Sequence, residues 1–420
     1  MIAIDFGTTN SSVAVFSEGD TAPRLQSVEY TDPESYNRHV LPSVTCECRT
    51  NECKSRRQTY GHEALRHGFE VPHDTTLLQE MKLYFDRSTI DPPTLVETKT
   101  FTTLREEGGV LNPVSKIQRF MIYDGEVPLQ PARFVPGTAT LISEIVRRSD
   151  TAPSDRDELV IGVPASFGGV GTRRLREAAK LGVFGDSAGY ERIFVYPEPL
   201  AAARSYMQIA TGNILVLDYG GGTLDITVMT IREAGQFNID KVVYGGFPEG
   251  GSAMDQMILK YCLSKADQGT LDWYKTQPLS VRLRLKRNVE KAKISLSGKV
   301  SASIEFPNSG LAPMPLTRQE VSFALQPIMT RMVSKVTQIV VRAVGAIENI
   351  DFVVMSGGAS LSEVVQTAVI AMFRHLPAER FIVPDAHDAA SVESCMCAVA
   401  KGLALLRKDG IAPISVDDLR

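Results

Sequence analysis

The chain has 420 residues and a mass of 45.9 kDa, enough for two or three domains of ordinary size. Hydrophobic residues make up 43% and charged residues 22%, a composition that excludes disordered, collagen-like and membrane-spanning chains. The 45 Lys and Arg against 49 Asp and Glu give a net charge of -4, without the basic excess that binding to nucleic-acid phosphates requires. We therefore expect neither nucleic acid nor a membrane among its partners.

The cysteines and the N-terminus indicate the compartment. The first residues contain no basic leader and no apolar stretch of signal-peptide length. Six cysteines are too few for a disulfide scaffold, and Cys46, Cys48 and Cys53 near His62 lack the spacing of a standard zinc site. The sequence predicts a cytoplasmic protein whose cysteines are reduced thiols.

Two segments about half a chain apart repeat one plan. Residues 1–16, MIAIDFGTTNSSVAVF, and residues 213–229, NILVLDYGGGTLDITVM, each give an apolar strand, an Asp-aromatic-Gly turn and a second strand. Asp218 corresponds to Asp5 in this repeat, and the repeat predicts two similar lobes.

Between and after these hairpins, both halves alternate strands with helices, the pattern of an α/β protein. In chain order, we expect a strand at 158–164, a helix at 172–182, a strand at 192–199, helices at 200–210, 252–267 and 281–297, a strand pair near 298–306, a helix from 317 to about 348, and a strand at 351–358. Gly182 is expected to close its helix. Thr317 with Glu320, and Ser360 with Glu363, have the spacing of capping boxes.

The first turn, Asp5 to Asn10, is a weak phosphate-binding signal. Its glycine allows backbone N–H groups and the Thr8 and Thr9 hydroxyls to approach phosphate oxygens. An isolated Asp-Gly turn, however, is more often only a turn.

The second turn is a stronger signal. Three consecutive glycines, Gly220 to Gly222, interrupt an apolar strand pair and add no packing, so close approach to a ligand is their simplest use. The flanking carboxylates of Asp218 and Asp225 suit Mg²⁺, which takes one or two protein carboxylates beside nucleotide phosphates. The alternative is a glycine-rich bulged hairpin with surface acids.

Three further glycine pairs precede predicted helices. They are Gly245-Gly246, Gly250-Gly251 and Gly357-Gly358. Glycines at a helix N-terminus leave free N–H groups and the positive end of the helix dipole for an anion or a nucleotide.

Taken together, these motifs resemble the nucleotide-binding domain of the DnaK-type heat shock protein 70 chaperones. The matching segments, in order, are IAIDFGTTNSSVAV, VIGVPASF, PEPLAAA, LVLDYGGGTLDITV, GGFPEGGSAMD, VEKAKISLS and VVMSGGAS. The resemblance implies an α/β, actin-like ATPase fold of the duplicated ribonuclease H type, with two lobes around a nucleotide cleft. We place lobe I at 1–208, with a peripheral subdomain at about 35–135, and lobe II at 209–420, with one at about 250–315.

The resemblance also implies roles for individual residues. Asp5 and Asp218 resemble the carboxylates that hold the Mg²⁺ waters, and Asp225 and Glu198 resemble acids that position the attacking water and the metal shell. Thr223 resembles part of the second phosphate loop and is a further catalytic candidate. Lys82 is the candidate catalytic lysine, with a solvated helix-face lysine as the alternative. Pro164 resembles the family's proline switch. The residues implied to bind the nucleotide are Gly7, Thr8, Thr9, Asn10, Gly220, Gly221, Gly222, Gly250, Gly251, Glu290, Lys293, Ser297, Gly357 and Gly358.

The sequence departs from the family pattern in two places. Ile294 and Leu361 stand where arginines sandwich adenine, so the base would lie between apolar side chains. Ser252 and Ala253 replace acidic residues. The resemblance is greatest to short YegD-like members, which consist of the ATPase lobes alone, so we expect no direct peptide capture.

The expected function is Mg²⁺-dependent binding and slow hydrolysis of ATP to ADP by a monomer that switches conformation to act with an unidentified protein partner. The alternative is a nucleotide-binding scaffold or filament protein with negligible turnover. A small-molecule kinase is disfavoured because the triglycine turn with Thr223 and Asp225 matches the chaperone branch.

Overall fold

The fold is taken from a computed structural model. It describes residues 1–17, 19–28, 38–48, 58–61, 63–64, 75–78, 81–85, 104–107, 110–113, 122–124, 134–149, 153, 157–165, 167–185, 189–206, 211–232, 239–247, 249–277, 279–307 and 309–414. Most of the predicted insertion at 85–135, together with Cys53 and His62, lies outside these residues.

The described strands belong to two large sheets and three small ones. They are β1 (Ile2–Phe6), β2 (Asn10–Val15), β3 (Arg24–Leu25), β4 (Val40–Pro42), β5 (Thr45–Cys48), β6 (Gln58–Tyr60), β7 (Thr75–Leu78), β8 (Leu104–Glu107), β9 (Val110–Pro113), β10 (Ile122–Asp124), β11 (Leu159–Val163), β12 (Ile193–Pro197), β13 (Gly212–Tyr219), β14 (Leu224–Ile231), β15 (Ile239–Phe247), β16 (Ser301–Ile304), β17 (Met314–Thr317), β18 (Phe352–Ser356) and β19 (Phe381–Ile382).

The described residues form ten α-helices. They are α1 (Phe134–Arg148), α2 (Gly169–Phe184), α3 (Glu198–Tyr206), α4 (Gly251–Ser264), α5 (Gln268–Thr276), α6 (Leu279–Gly298), α7 (Arg318–Val344), α8 (Glu363–Met372), α9 (Ala389–Met396) and α10 (Ala398–Lys408).

The two large sheets repeat one topology. The N-terminal sheet has the order β12-β11-β1-β2-β3, with β4 also paired to β2, and the C-terminal sheet has the order β19-β18-β13-β14-β15. In each, two parallel pairs lead to an antiparallel hairpin, β1-β2 in one and β13-β14 in the other. The repeat seen in the sequence is therefore a repeat of structure, and the expected duplicated fold is confirmed.

A layer of small residues joins the two sheets. Helices α3 and α10 pack closely, and a Cβ on Gly402 would lie 1.7 Å from the carbonyl oxygen of Ala201. The apolar cluster around these helices includes Ala3 and Val160 of the N-terminal sheet and Val216 of the C-terminal sheet. Although α10 lies late in the chain, it packs on β1, β2 and β11. The lobe and subdomain boundaries remain predictions.

Several predicted helix ends are confirmed or corrected. Thr317 and Glu320 form the expected capping box at the start of α7. Gly182 does not end its helix: it lies inside α2, where a Cβ would meet the Ala139 carbonyl oxygen at 2.5 Å, and Gly185 with φ +61° ends the helix instead. Ser360 does not cap α8, because its hydroxyl donates to the carbonyl oxygen of Ser356.

Two strand predictions also need correction. The strand at Ser301–Ile304 pairs with Met314–Thr317 rather than with a partner near 298–306. Gly245 and Gly246 do not precede a helix but lie inside β15, where a side chain on Gly245 would collide with Ile339 of α7. Gly245 therefore serves helix-on-sheet packing.

Candidate active site

Strand register places two carboxyl groups side by side on the C-terminal sheet. Ser356 of β18 pairs with Asp218 of β13, and Asp218 pairs with Asp225 of β14. Directly opposed residues project to the same face with their Cβ atoms about 5 Å apart. The Ser356 hydroxyl donates to Asp218 Oδ1 at 2.9 Å, and the Thr223 hydroxyl donates to Asp225 Oδ2 at 3.3 Å.

The N-terminal sheet presents the equivalent position with different chemistry. Asp5 of β1 pairs with Ser12 of β2, so a serine stands where the C-terminal sheet has Asp225. The second acid on this side is Glu198, the first residue of α3. It fits because Gly162 of β11 has no side chain, and a Cβ there would lie 2.9 Å from Glu198 Cγ.

Lys82 lies among these acids. It belongs to a short 3₁₀ helix, Met81–Tyr84, and is only 3% exposed. Its ammonium group donates a hydrogen bond to Glu198 Oε1. Burial alone would lower the Lys82 pKa, but the charges of Glu198 and Asp5 outweigh it and the pKa is raised. The alternative of a solvated surface lysine is therefore wrong.

Burial raises the pKa of all four acids, and repulsion by neighbouring carboxylates raises it further for Asp5, Glu198 and Asp225. For Asp225, which is 2% exposed, burial followed by the charges of Glu198 and Asp218 raises the pKa to about 8. Burial also raises the pKa values of Asp5, Glu198 and Asp218, against the opposing charge of Lys82. Asp225 Oδ1 is buried and has no hydrogen-bond partner among the described residues. Four carboxyl groups therefore lie around one ammonium group.

The two glycine turns meet between the sheets. A Cβ on Gly221 would lie 1.7 Å from Thr9 Oγ1 and 2.6 Å from Thr9 Cβ, so only glycine allows this approach. Gly7 is needed for the first turn itself, because a Cβ there would lie 1.9 Å from the Asn10 carbonyl oxygen. The two turns therefore lie next to each other.

The amides of the Gly250-Gly251 turn are already engaged. The N–H groups of Gly250, Gly251 and Ser252 donate to the carbonyl oxygens of Gly222, Gly220 and Gly221 at 3.0, 3.0 and 2.8 Å. In this conformation they join the start of α4 to the triglycine turn and are not free for an anion.

Helix α6 presents three of the predicted nucleotide-binding residues. Lys293 forms an ion pair with Asp255 at 2.6 Å and donates to the Gly251 carbonyl oxygen at 3.1 Å. Glu290 accepts from Arg287 at 2.6 Å. Ser297 lies one turn beyond Lys293, on the same side of the helix.

Gly357 turns the chain from β18 towards the cavity. Its φ of +82° suits glycine, and a Cβ would lie 2.5 Å from the Tyr219 carbonyl oxygen. A 3₁₀ helix, Gly358–Leu361, follows, and α8 begins only at Glu363. The diglycine therefore lies against the second hairpin, as its predicted role requires.

These groups surround one cavity of about 680 Å³. Every predicted site residue lines it except Gly250. The sequence did not predict a wall from Arg38 to Val44 or a second wall on α9 with Val392, Glu393 and Cys395. Lys286 and Lys291, which belong to a locally basic helix in the sequence, also line the cavity. Of the residues in these three groups, only Lys286 and Lys291 could have been placed near the cavity from the sequence, because they lie on the same predicted helix as Glu290.

Among the described residues, no three His, Cys, Asp or Glu side chains are close enough to hold a metal ion between them. In the same residues, no single helix has the length and apolar character to cross a membrane, although the pair α9 and α10, bent by 58°, meets that length and composition test.

Comparison with known proteins places this architecture in a family. The Hsp70 protein family model matches residues 126–408, more than half of the chain. A chaperone protein DnaK of Thermus thermophilus is 28% identical over 405 residues, which are 91% of this chain and 58% of that protein. The chaperone protein HscA homolog of Burkholderia ambifaria is 28% identical over 387 residues, 90% of this chain and 55% of that protein. The chain thus spans somewhat more than half the length of these relatives. The duplicated sheets, the cavity between their glycine turns and the extent of the family match all lead to one assignment: the chain belongs to the Hsp70 family and has its actin-like ATPase fold.

Proposed function

We propose that the cavity binds ATP as its Mg²⁺ complex and hydrolyses it slowly to ADP and phosphate. The observation that carries the proposal is the approach of Thr9 to Gly221, which brings two glycine turns from different sheets to one point beside the partly buried Asp5 and the buried Glu198, Asp218 and Asp225. A polyphosphate is a ligand that makes use of both turns, because backbone N–H groups and hydroxyls from each can surround it.

The acids fit Mg²⁺ in its usual coordination. Asp5 and Asp218 lie at the facing ends of β1 and β13, and Mg²⁺ needs only one or two carboxylates when phosphates and waters complete its shell. Bound there, Mg²⁺ neutralises phosphate charge. Burial raises the pKa values of these carboxyl groups, and a cation bound beside them would stabilise their charged forms, so cation binding and deprotonation favour each other.

The chain's own residues have distinct tasks in this proposal. Asp225 has a buried, unpartnered oxygen and can accept a proton from a water molecule held in the cavity. Lys82 supplies positive charge where negative charge develops in the transition state, and Glu198 holds that ammonium in place. Phosphoryl transfer depends mainly on such positioning and charge neutralisation.

A ligand in this cavity would also change the arrangement of the two sheets, because it lies between them. A ligand that contacts both sheets stabilises the arrangement in which they are close, by its difference in affinity between the closed and open states. We propose that a protein partner binds differently to the closed and open arrangements and so responds to the bound ligand.

The test is turnover of ATP by the purified protein with and without Mg²⁺. Asp5→Asn and Asp218→Asn are each expected to abolish Mg²⁺-dependent phosphate release, because each removes a charge that holds the cation. Thermal unfolding of both variants checks that they fold. Wild-type turnover in both would refute the metal assignment.

The scaffold alternative is supported by the apolar lining near α6. Ile294 is 41% exposed and lines the cavity together with Leu361, so no guanidinium holds the base at these two positions. A protein that binds ATP without measurable turnover, and whose light scattering rises when ATP is added, would favour this second function.

A further inference from the structure

Three segments of the C-terminal half meet at one end of the cavity. They are the last turns of α6 with Ile294, the 3₁₀ helix Gly358–Leu361, and the loop 384–388 with His387, which leads into α9. Ile294, Leu361 and His387 all line the cavity, and Ile294 and Leu361 offer aliphatic surface there. Among the described residues that line the cavity, His387 has the only aromatic ring.

The His387 ring lies against the end of α6. A Cβ on Gly298 would lie 3.6 Å from His387 Cε1 and 3.7 Å from its Nδ1, which is van der Waals contact. Gly298 follows Ile294 by four residues, so the two lie on one face of the helix, one turn apart. The imidazole therefore lies beside the exposed side chain of Ile294, in the same part of the cavity.

The backbone on both sides of His387 is fixed. The His387 amide donates to Asp385 Oδ1 at 2.8 Å, and the Asp385 amide donates to the Ser391 hydroxyl at 2.8 Å. Asp388 caps α9 by accepting from the Ala390 amide at 3.1 Å. These bonds hold the loop in one conformation and do not involve the imidazole.

One side chain ties this loop to the helix of Leu361. Gln366, on α8, donates from its Nε2 to the carbonyl oxygen of Ser360 at 2.8 Å and to that of Pro384 at 2.7 Å. Ser360 directly precedes Leu361, and Pro384 opens the loop of His387. The Leu361 and His387 sides of the pocket are thus held at a fixed spacing.

Arg318, the first residue of α7, ties in the third segment. Its Nε and Nη2 donate to the carbonyl oxygens of Leu296 and Lys299, at the end of α6, at 3.2 and 3.1 Å. Its Nη1 forms an ion pair with Glu363, the first residue of α8. The three walls of this pocket are therefore joined through α7 and α8, so the pocket is formed by the protein alone.

We propose that His387 holds the base of the nucleotide by stacking its imidazole on the planar ring, while Ile294 and Leu361 pack against the base. Stacking suits this position because every base has a π-face and an aliphatic wall makes no hydrogen bond to the base. The inference rests on the proposed nucleotide function and adds the residue that determines how tightly the base is held.

The first experiment separates the base from the phosphates. Calorimetric titration with Mg²⁺-ATP and with Mg²⁺-tripolyphosphate is made on the wild type, on His387→Ala and on the control His375→Ala, a histidine of the same half that is not among the lining residues. Because stacking on an exposed ring lies in the lower part of the usual range, we expect His387→Ala to bind Mg²⁺-ATP about 5- to 30-fold more weakly. Tripolyphosphate binding should be unchanged, and His375→Ala should match the wild type for both ligands. Unchanged ATP affinity in His387→Ala, or an equal loss for both ligands, would overturn the proposal.

The second experiment asks whether the ring acts by stacking. His387→Phe keeps a planar ring and removes both nitrogens, whereas His387→Leu keeps bulk and removes the aromatic face. We expect His387→Phe to bind Mg²⁺-ATP within about 2-fold of the wild type and His387→Leu to bind it as weakly as His387→Ala, with thermal unfolding as the check that each variant folds. A loss in His387→Phe as large as in His387→Ala would overturn the proposal. A wild type that binds neither Mg²⁺-ATP nor adenosine would refute the proposed function together with this inference, whereas ATP binding that is insensitive to His387→Ala would refute this inference alone.

Discussion

Gly221→Ala is predicted to weaken nucleotide binding without unfolding the protein. The new methyl carbon would lie 1.7 Å from Thr9 Oγ1 and 2.6 Å from Thr9 Cβ. Rotation of the threonine side chain can move Oγ1 but not Cβ, so the two turns must separate. Because they belong to different sheets, each sheet keeps its own hydrogen bonds when they do.

The size of the effect follows from the overlap. Forcing one extra carbon into a close contact costs about 1–3 kcal/mol. If a ligand must contact both turns to bind, this cost reduces its binding free energy by the same amount, and Mg²⁺-ATP binds about 5- to 150-fold more weakly. The melting temperature should change little, because opening of the cleft relieves the overlap and leaves the hydrophobic cores of both halves unchanged.

Calorimetric titration with Mg²⁺-ATP measures the first quantity and thermal unfolding the second. Gly358→Ala is the control for thermal unfolding, because a Cβ there meets no atom within 4 Å. Wild-type affinity in Gly221→Ala would refute the reasoning, because it would mean that the ligand does not depend on the approach of the two turns.

Two further predictions concern charge in the cavity. The pKa of Asp225 is raised from the ordinary 3.8 to about 8, so the folded protein binds this proton more tightly than the unfolded chain does. Proton binding therefore stabilises the fold fully below about pH 4, and this stabilisation is lost as the pH rises to about 8. In chelator-treated protein, the free energy of unfolding of Asp225→Asn relative to the wild type should therefore increase between about pH 5 and pH 8, by up to about 4 kcal/mol. Urea unfolding at both pH values measures this difference, and the same difference at both would contradict the raised pKa. Ile294→Arg, which places a guanidinium at an exposed aliphatic position lining the cavity, should bind ATP about 2- to 30-fold more tightly by calorimetry, and unchanged affinity would show that the base does not lie against α6.

The elements that sequence predicted well are those with a local cause. The hairpin repeat was visible because an apolar strand, an aspartate and a glycine turn recur in the same order, and the structure repeats the strand order with them. The capping box of Thr317 and Glu320 forms because both partners lie within one turn. Such signals need no knowledge of the rest of the chain.

The predictions that failed depended on distant neighbours. Gly182 is a glycine because α1 crosses it, and Gly245 because α7 does, so neither marks an end of an element. Ser360 has the spacing of a cap, but the carbonyl oxygen of Ser356 is the partner within reach of its hydroxyl. Local spacing cannot reveal which of two uses a residue serves once another helix approaches it.

The candidate site divides in the same way. The acids at strand ends could be found from the motifs, because strand alternation and the carboxyl ends of strands place them together. The burial of Lys82 depends on a contact with Glu198, 116 positions further along the chain, which no pattern in its own segment predicts. His39 and Glu393 were missed for the same reason, since their contact exists only when the two sheets come together.

The way the two sheets are joined suggests where they can move. Between them, α3 and α10 pack so closely that Gly402 lies against the backbone of Ala201, and this alanine-rich layer is buried. At the cavity, the described contacts between the two halves include the approach of Thr9 to Gly221 and the packing of α4 on β9. Opening at the cavity therefore disrupts far less apolar packing than separation at the helical layer, so the layer is the natural hinge. A ligand that binds both glycine turns acts at the end of the molecule that is easiest to open, where a modest difference in affinity can shift the balance between open and closed forms.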